Sequence, residues 1–327
     1  MKVLDNTVMP VFIFSLPRSG STLLQRLLAS HNQVSTASET WLLLPLLYSL
    51  RTQGIYTEYW QKTSVLALND FMERLPNGKA DYQEAMRQLA LQLYTKASDD
   101  GASYFLDKTP RYHLISDEVC ELFPDAKLIF LWRNPLSVIA SIMQSFADGK
   151  WNLYYYNIDL FTGLENIIHT YENYRSSSLS VHFEALIKSP EEELKRINEY
   201  LELEDHSHMD LSSSQLSGKM GDPTGTKLYS QVSAEPLGKW KEVICNRLRR
   251  RWCRKYLERI GRDRWLAIGY DMDDMIAELN AVPMSSRFLV SDVVRITYGT
   301  LLPFLSPRSL KEKAALLPDF NKIYPSY

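Results

Sequence analysis

Val11-Phe12-Ile13-Phe14-Ser15-Leu16-Pro17-Arg18-Ser19-Gly20-Ser21-Thr22-Leu23-Leu24 is the stretch on which the reading of this chain turns. Four apolar residues without alternation suit a strand covered on both faces. A short polar turn follows. Ser19, Gly20, Ser21 and Thr22 then open a helix and offer backbone N–H groups and hydroxyls at its N-terminus. With the positive charge of Arg18 added, the segment reads as an anion cradle for a phosphate or sulfate ester. Its spacing is close to the Walker A loop G-x-x-x-x-G-K-[ST], with Ser15 and Gly20 at the glycine positions and Thr22 at the last hydroxyl. Ser21 stands where that loop requires lysine, which disfavours ordinary ATP or GTP hydrolysis.

A second segment repeats the logic. Lys127-Leu128-Ile129-Phe130-Leu131-Trp132 is another apolar run, and it leads into Arg133-Asn134-Pro135. Pro135 suits the first turn of a helix, where its missing donor costs nothing. Arg133 therefore stands at the carboxyl end of a strand, the edge at which doubly wound sheets collect ligands. Strands near 11–15, 103–107, 127–132 and 179–183 alternate with helical patterns near 20–30, 82–97, 135–147 and 190–201. That alternation predicts an α/β fold, a P-loop-like parallel sheet flanked by helices.

The run Pro17-Arg18-Ser19-Gly20-Ser21-Thr22-Leu23-Leu24 resembles the 5′-phosphosulfate loop of sulfotransferases that use 3′-phosphoadenosine 5′-phosphosulfate, PAPS. Arg133, with Ser141 eight residues later, resembles the pair that holds the nucleotide 3′-phosphate in that family. Ser38-Glu39-Thr40-Trp41 and Tyr104-Phe105-Leu106-Asp107-Lys108-Thr109-Pro110 are similar to motifs of the branch containing the tyrosylprotein sulfotransferases and many bacterial relatives. The resemblance runs over residues 10–270. It implies the sulfotransferase fold and transfer of a sulfuryl group from PAPS to a hydroxyl of a small molecule, a glycan or a tyrosine, with no metal. In that scheme Glu39 is the base, and Arg18 and Lys108 neutralise the reacting group, with Ser19, Gly20, Ser21 and Thr22 completing the phosphosulfate site.

On the residues alone, Glu39 reads as a helix-start carboxylate favoured by the macrodipole, and it is the resemblance that makes it the base. His113 is the rival base, because it follows Lys108 closely and many sulfotransferases of small substrates use a histidine. The family's short strand ending in Tyr-Glu is matched by Ser180-Val181-His182-Phe183-Glu184, with Phe183 at the nucleotide-contacting position. Thr224 and Lys239, within the loop from Gly221 to Trp240, are the remaining implied nucleotide contacts. The branch's second arginine, four residues beyond Ser141, is Ser145 here. That leaves the 3′-phosphate to another cation, Lys239 or one of Arg247, Arg249, Arg250, Arg251, Arg254 and Lys255, a run that otherwise reads as a solvated helix face. The leucine-rich region 39–75 is expected to supply helices over the acceptor.

Composition narrows the classes. Lys+Arg 37 against Asp+Glu 39 in 327 residues argues against nucleic acid as partner, and 45% hydrophobic residues suffice for a large core. Cys120, Cys245 and Cys253 are too few and scattered for a disulfide frame or metal cluster, so reduced thiols are expected. Asp5 and Asn6 interrupt the N-terminal apolar stretch, so neither a removable signal peptide nor the membrane anchor of the eukaryotic tyrosylprotein enzymes is expected. Asp292 and Arg295 within Phe288–Leu305 make insertion of that stretch costly, and no membrane span is expected. Together these set the expectation of a cytoplasmic enzyme. The expected organisation is one sulfotransferase domain over 1–280 and an extension over 281–327 that packs on it, a substrate lid or homodimer contact being the sharper alternative. Competing functions are a P-loop kinase of a small alcohol and a nucleotide-binding protein without turnover.

Overall fold

The computed structural model describes residues 7–52, 55, 57–203 and 237–305. Five strands, β1 (Met9–Phe14), β2 (Val34–Thr36), β3 (Tyr104–Asp107), β4 (Lys127–Trp132) and β5 (Ser178–His182), form one parallel sheet in the order β2-β3-β1-β4-β5. The helices between them are α1 (Ser21–Leu28), α2 (Leu43–Tyr48), α3 (Gln61–Met72), α4 (Lys79–Ala97), α5 (Ser116–Leu122), α6 (Pro135–Ala147) and α7 (Leu164–Tyr174), and α8 (Phe183–Lys188) and α9 (Pro190–Leu201) follow β5. The expected α/β sheet is present, with a fifth strand, β2, that the apolar pattern of the sequence did not mark.

The absence of alternation in β1 now has its cause. Phe12 and Phe14 enter one core with Phe105, Phe130 and Trp132, whereas Val11 and Ile13 enter a second core with Leu106, Ile129 and Leu131. Both faces of the sheet are covered, so both sets of side chains are apolar. The second core is closed by Leu23 and Leu27 of α1 and by Ile197 and Leu201 of α9.

Topology places the functional edge. From β1 the chain runs outward to β2 and back to β3, then crosses to β4 and β5 on the other side. Connections thus leave β1 and β4 in opposite directions, and the crevice beyond their carboxyl ends is the switch point at which open α/β sheets bind ligands.

The C-terminal region corrects one expectation. The basic run lies on the Arg247–Ile260 helix, and Arg247, Arg251 and Lys255 are exposed as a solvated face requires. Arg249 is instead fully buried. Its Nε lies 2.7 Å from Asp292 Oδ2 and its second guanidinium nitrogen 2.9 Å from Oδ1. It also donates to the carbonyls of Val243 and Gly149 at 2.8 and 2.9 Å. Asp292 lies on the Leu289–Leu305 helix and also accepts from Asn246, the side-chain cap of the Arg247–Ile260 helix. Among the described residues no helix is long and apolar enough to cross a membrane.

Candidate active site

The β1–α1 loop turns sharply. Arg18 has φ 70° and Gly20, the N-cap of α1, has φ 93°, a left-handed conformation that glycine adopts without steric cost. Gly20 also has no room for a side chain, because a Cβ there would lie 2.2 Å from Cδ2 of Phe183. The N–H groups of Ser21 and Thr22 head α1, where a helix supplies no acceptor of its own.

Arg133 extends from the β4 tip to this loop, donating to the Arg18 carbonyl at 2.7 Å. Arg18 Nε in turn donates to Ser141 Oγ of α6 at 3.3 Å. Three residues expected to bind one nucleotide, widely separated in sequence, therefore meet at the β1/β4 crevice. Asn134 directs the β4–α6 turn by accepting from Leu136 N at 2.9 Å and from Ser137 N at 3.4 Å. Glu184 holds the same turn through Asn134 N at 2.8 Å and is itself held by Tyr270 OH at 2.9 Å.

Phe183, expected to contact the nucleotide, lies behind the β1–α1 loop. It is fully buried, wedged under Gly20, and the Arg133 guanidinium covers its ring at 4.4 Å from the centroid. It supports the loop and the arginine from behind. Lys239 is exposed at the head of the short Trp240–Val243 helix, which packs on α6. Thr224 lies outside the described residues.

Lys108 follows the tip of β3 and is almost entirely buried, its side chain 2% exposed. Its Nζ lies 2.9 Å from Oε1 of Glu39, whose side chain is 11% exposed. The indole of Trp41 donates to the other Glu39 oxygen at 3.1 Å. The Glu39 loop is strapped to α1 by fully buried Gln25, which donates to Thr36 Oγ1 at 2.8 Å and to the Ala37 carbonyl at 2.7 Å. Gln25 was not marked by the sequence, because its contacts join α1 to a loop that no local pattern connects to it; Trp41 and Glu184 stand in the motifs that carry the resemblance, but with no role of their own.

His113, the rival base, is fully buried and engaged elsewhere. Its Nε2 is 2.7 Å from Asp159 Oδ1, and Gly163 packs so closely on the ring that a Cβ there would lie 2.4 Å from Nδ1. Burial lowers its pKa below the ordinary histidine value. Asp159 is shared with Arg111 Nε at 3.1 Å. His113 thus sits in a packed polar cluster beside the π-helical turn Ile158–Gly163.

Aromatic side chains border this edge of the sheet. Trp41 is 39% exposed and Phe146 of α6 is 54% exposed. The Arg18 guanidinium lies 5.6 Å from the centroid of the Phe146 ring, which stacks on Tyr156.

The nodulation protein NoeE of Sinorhizobium fredii is 31% identical over 136 residues, 42% of this chain and 31% of its own length. Protein-tyrosine sulfotransferase 2 of Gallus gallus is 26% identical over 245 residues, 70% of this chain and 62% of its own. The chain thus spans less than two thirds of either relative. Among solved structures, the sulfotransferase domain of the Synechococcus PCC 7002 olefin synthase superposes with a TM-score of 0.52 at 23% identity, covering 74% of this chain and 90% of that domain. That similarity supports the fold. The family model described as "Sulfotransferase family" matches residues 10–207, a span that holds the β1–α1 loop, Glu39, Lys108, Arg133 and Ser141. A match over more than half the chain, on the segments that build the crevice, makes this protein a member of the sulfotransferase family.

Proposed function

We propose that the chain transfers a sulfuryl group from PAPS to a hydroxyl of an acceptor. The observation that carries this reading is the convergence of Arg18, Ser141 and Arg133 beside the head of α1, with the Glu39–Lys108 pair on the neighbouring strand tip. The fit to PAPS is chemical. An anion at each end of the nucleotide needs cationic partners, which Arg18 and Arg133 supply, and the N–H groups of Ser21 and Thr22 head a helix that gives them no acceptor of its own.

PAPS, when bound, supplies a sulfur centre whose bond to the phosphate oxygen can be broken by an oxygen nucleophile. Glu39 takes the acceptor's hydroxyl proton. Lys108 and Trp41 occupy one lone-pair direction on each of its oxygens, and a carboxylate has about four, so acceptor sites remain for the hydroxyl. Arg18, Lys108 and the N–H groups of α1 stabilise the electron pair left on the departing phosphate, each such donor contributing about 3–4 kcal/mol. Arg133 and Ser141 hold the 3′-phosphate end. Trp41 and Phe146 offer exposed rings to the acceptor, which suits one whose hydroxyl is carried on an apolar, aromatic or sugar-ring body.

Glu39→Gln is the appropriate test. Alanine would leave the buried Lys108 cation without its partner, whereas glutamine keeps an oxygen toward it. Calorimetric affinity for 3′-phosphoadenosine 5′-phosphate, PAP, is expected to stay within about threefold. Turnover with radiolabelled PAPS and a mixture of a tyrosine peptide, a disaccharide and p-nitrophenol is expected to fall about 10²–10⁴-fold, the range for loss of a positioned base. Retained turnover in the variant, or binding of ATP with magnesium but not of PAP by the unaltered protein, overturns the reading.

A further inference from the structure

Asp107, the last residue of β3, is fully buried and receives four hydroxyl groups. Tyr94 OH and Thr40 Oγ1 lie 2.7 Å from its Oδ2, Tyr112 OH lies 2.9 Å from the same atom, and Thr109 Oγ1 lies 3.2 Å from Oδ1. Each hydroxyl has a single proton, and a carboxylate anion can accept from all four. Burial raises the Asp107 carboxyl above the usual value, and the four hydrogen bonds pull the other way.

With their protons directed at Asp107, the oxygens of Thr40, Thr109 and Tyr112 accept from the Glu39 loop; Thr40 Oγ1 and Tyr112 OH also lie 3.1 Å apart. Trp41 N donates to Thr109 Oγ1 at 3.2 Å, Leu42 N to Thr40 Oγ1 at 3.2 Å, and Leu43 N to Tyr112 OH at 3.1 Å. Three successive backbone N–H groups are thus held by oxygens whose orientation one carboxylate sets. Trp41 needs that hold, since its φ of 53° is a conformation that a bulky residue rarely adopts. Glu39 and Lys108 are the chain neighbours of Thr40 and Thr109, so the same relay fixes both halves of the ion pair.

We propose that Asp107 is the positioning residue for the Glu39–Lys108 pair, acting through Thr40, Thr109 and Tyr112. The proposal rests on the reading of Glu39 as the base. Apolar packing would hold the end of β3 without burying a charge; the carboxylate adds a defined direction for every hydroxyl around it. An amide cannot replace it, because its NH₂ is a donor facing donors.

Asp107→Asn and the pair Thr40→Val and Thr40→Ser test this, with turnover and PAP affinity measured as for Glu39→Gln. Asp107→Asn and Thr40→Val are expected to lose about 10²-fold in turnover, as small misplacements of reacting groups do. Their PAP affinity is expected to fall far less than turnover, because Arg18, Arg133 and Ser141 lie outside the relay and only Lys108 lies within it. Thr40→Ser, which keeps the hydroxyl, is expected to recover most of the loss. Should Asp107→Asn fail to fold, the two Thr40 variants decide alone. Unchanged turnover in Thr40→Val, equal loss in Thr40→Ser, or a fall in PAP affinity matching the fall in turnover overturns the proposal. If Glu39→Gln loses turnover and Thr40→Val does not, the positioning role alone fails; if Glu39→Gln keeps turnover, both fail.

Discussion

Replacing Gly20 by alanine tests how the phosphosulfate loop is built. Two costs are separable. The backbone at φ 93° is left-handed, and an L-residue there costs about 1–2 kcal/mol. The new methyl would lie 2.2 and 2.4 Å from two ring carbons of Phe183, whose ring is fully buried and cannot swing into solvent. Overpacking of that kind costs about 1–3 kcal/mol. The sum is about 2–5 kcal/mol, a large part of the stability of an ordinary domain. The damage is also directional, because the Arg133 guanidinium lies over the same ring and a displaced Phe183 moves Arg133 with it. PAP affinity is therefore expected to fall together with stability. Urea denaturation of the wild type, Gly20→Ala, Phe183→Leu and the double variant forms a cycle. In that cycle Phe183→Leu should return the steric part and leave the backbone part. A Gly20→Ala protein within about 0.5 kcal/mol of wild type, or strict additivity in the cycle, refutes the wedge.

Two further outcomes accompany those stated for Glu39 and Asp107. Asp292→Ala strands the fully buried Arg249 charge and should cost about 3–5 kcal/mol; an unchanged urea midpoint would contradict the burial of that pair. The lowered pKa of His113 gives a signed pH effect. Above pH 6.5 folded and unfolded chains both carry it neutral, and its stabilising contribution is complete. As pH falls through 6.5 toward the lower folded value, the unfolded chain binds a proton that the folded chain refuses, and stability is lost. His113→Gln should therefore melt with a shallower pH slope than wild type in this range, and equal slopes would rule the effect out.

How much of this was legible in sequence follows from the range of the contacts. The β1–α1 and β4–α6 units were readable because each is local: an apolar run, a turn residue, and a cap or proline at the helix start. β2 was not, since Val34–Thr36 is too short to show a period and ends in polar residues. Glu39, Lys108, Arg18, Ser141 and Arg133 were selected through a family resemblance, and the geometry brings them to one edge in two contacting groups. The burial of Phe183 against Gly20 was not legible, because the two are far apart in the chain. Arg249 was misjudged for the same kind of reason, its partner Asp292 being 43 residues away. Asp107 lies beside Lys108 in the chain, yet the hydroxyl relay around it depends on Thr40, 67 residues away, which no spacing rule links to it.

The buried Arg249–Asp292 contact also fixes where the protein can be trimmed. Cutting near residue 280, where the sequence suggested a boundary, would not release a dispensable appendage. It would strip a lone guanidinium of its counter-ion deep inside what remained, beside the carbonyls of Val243 and Gly149. Loss of the segment that carries Asp292 should accordingly destabilise the remainder about as much as Asp292→Ala does, even though that segment carries none of the residues assigned to the chemistry.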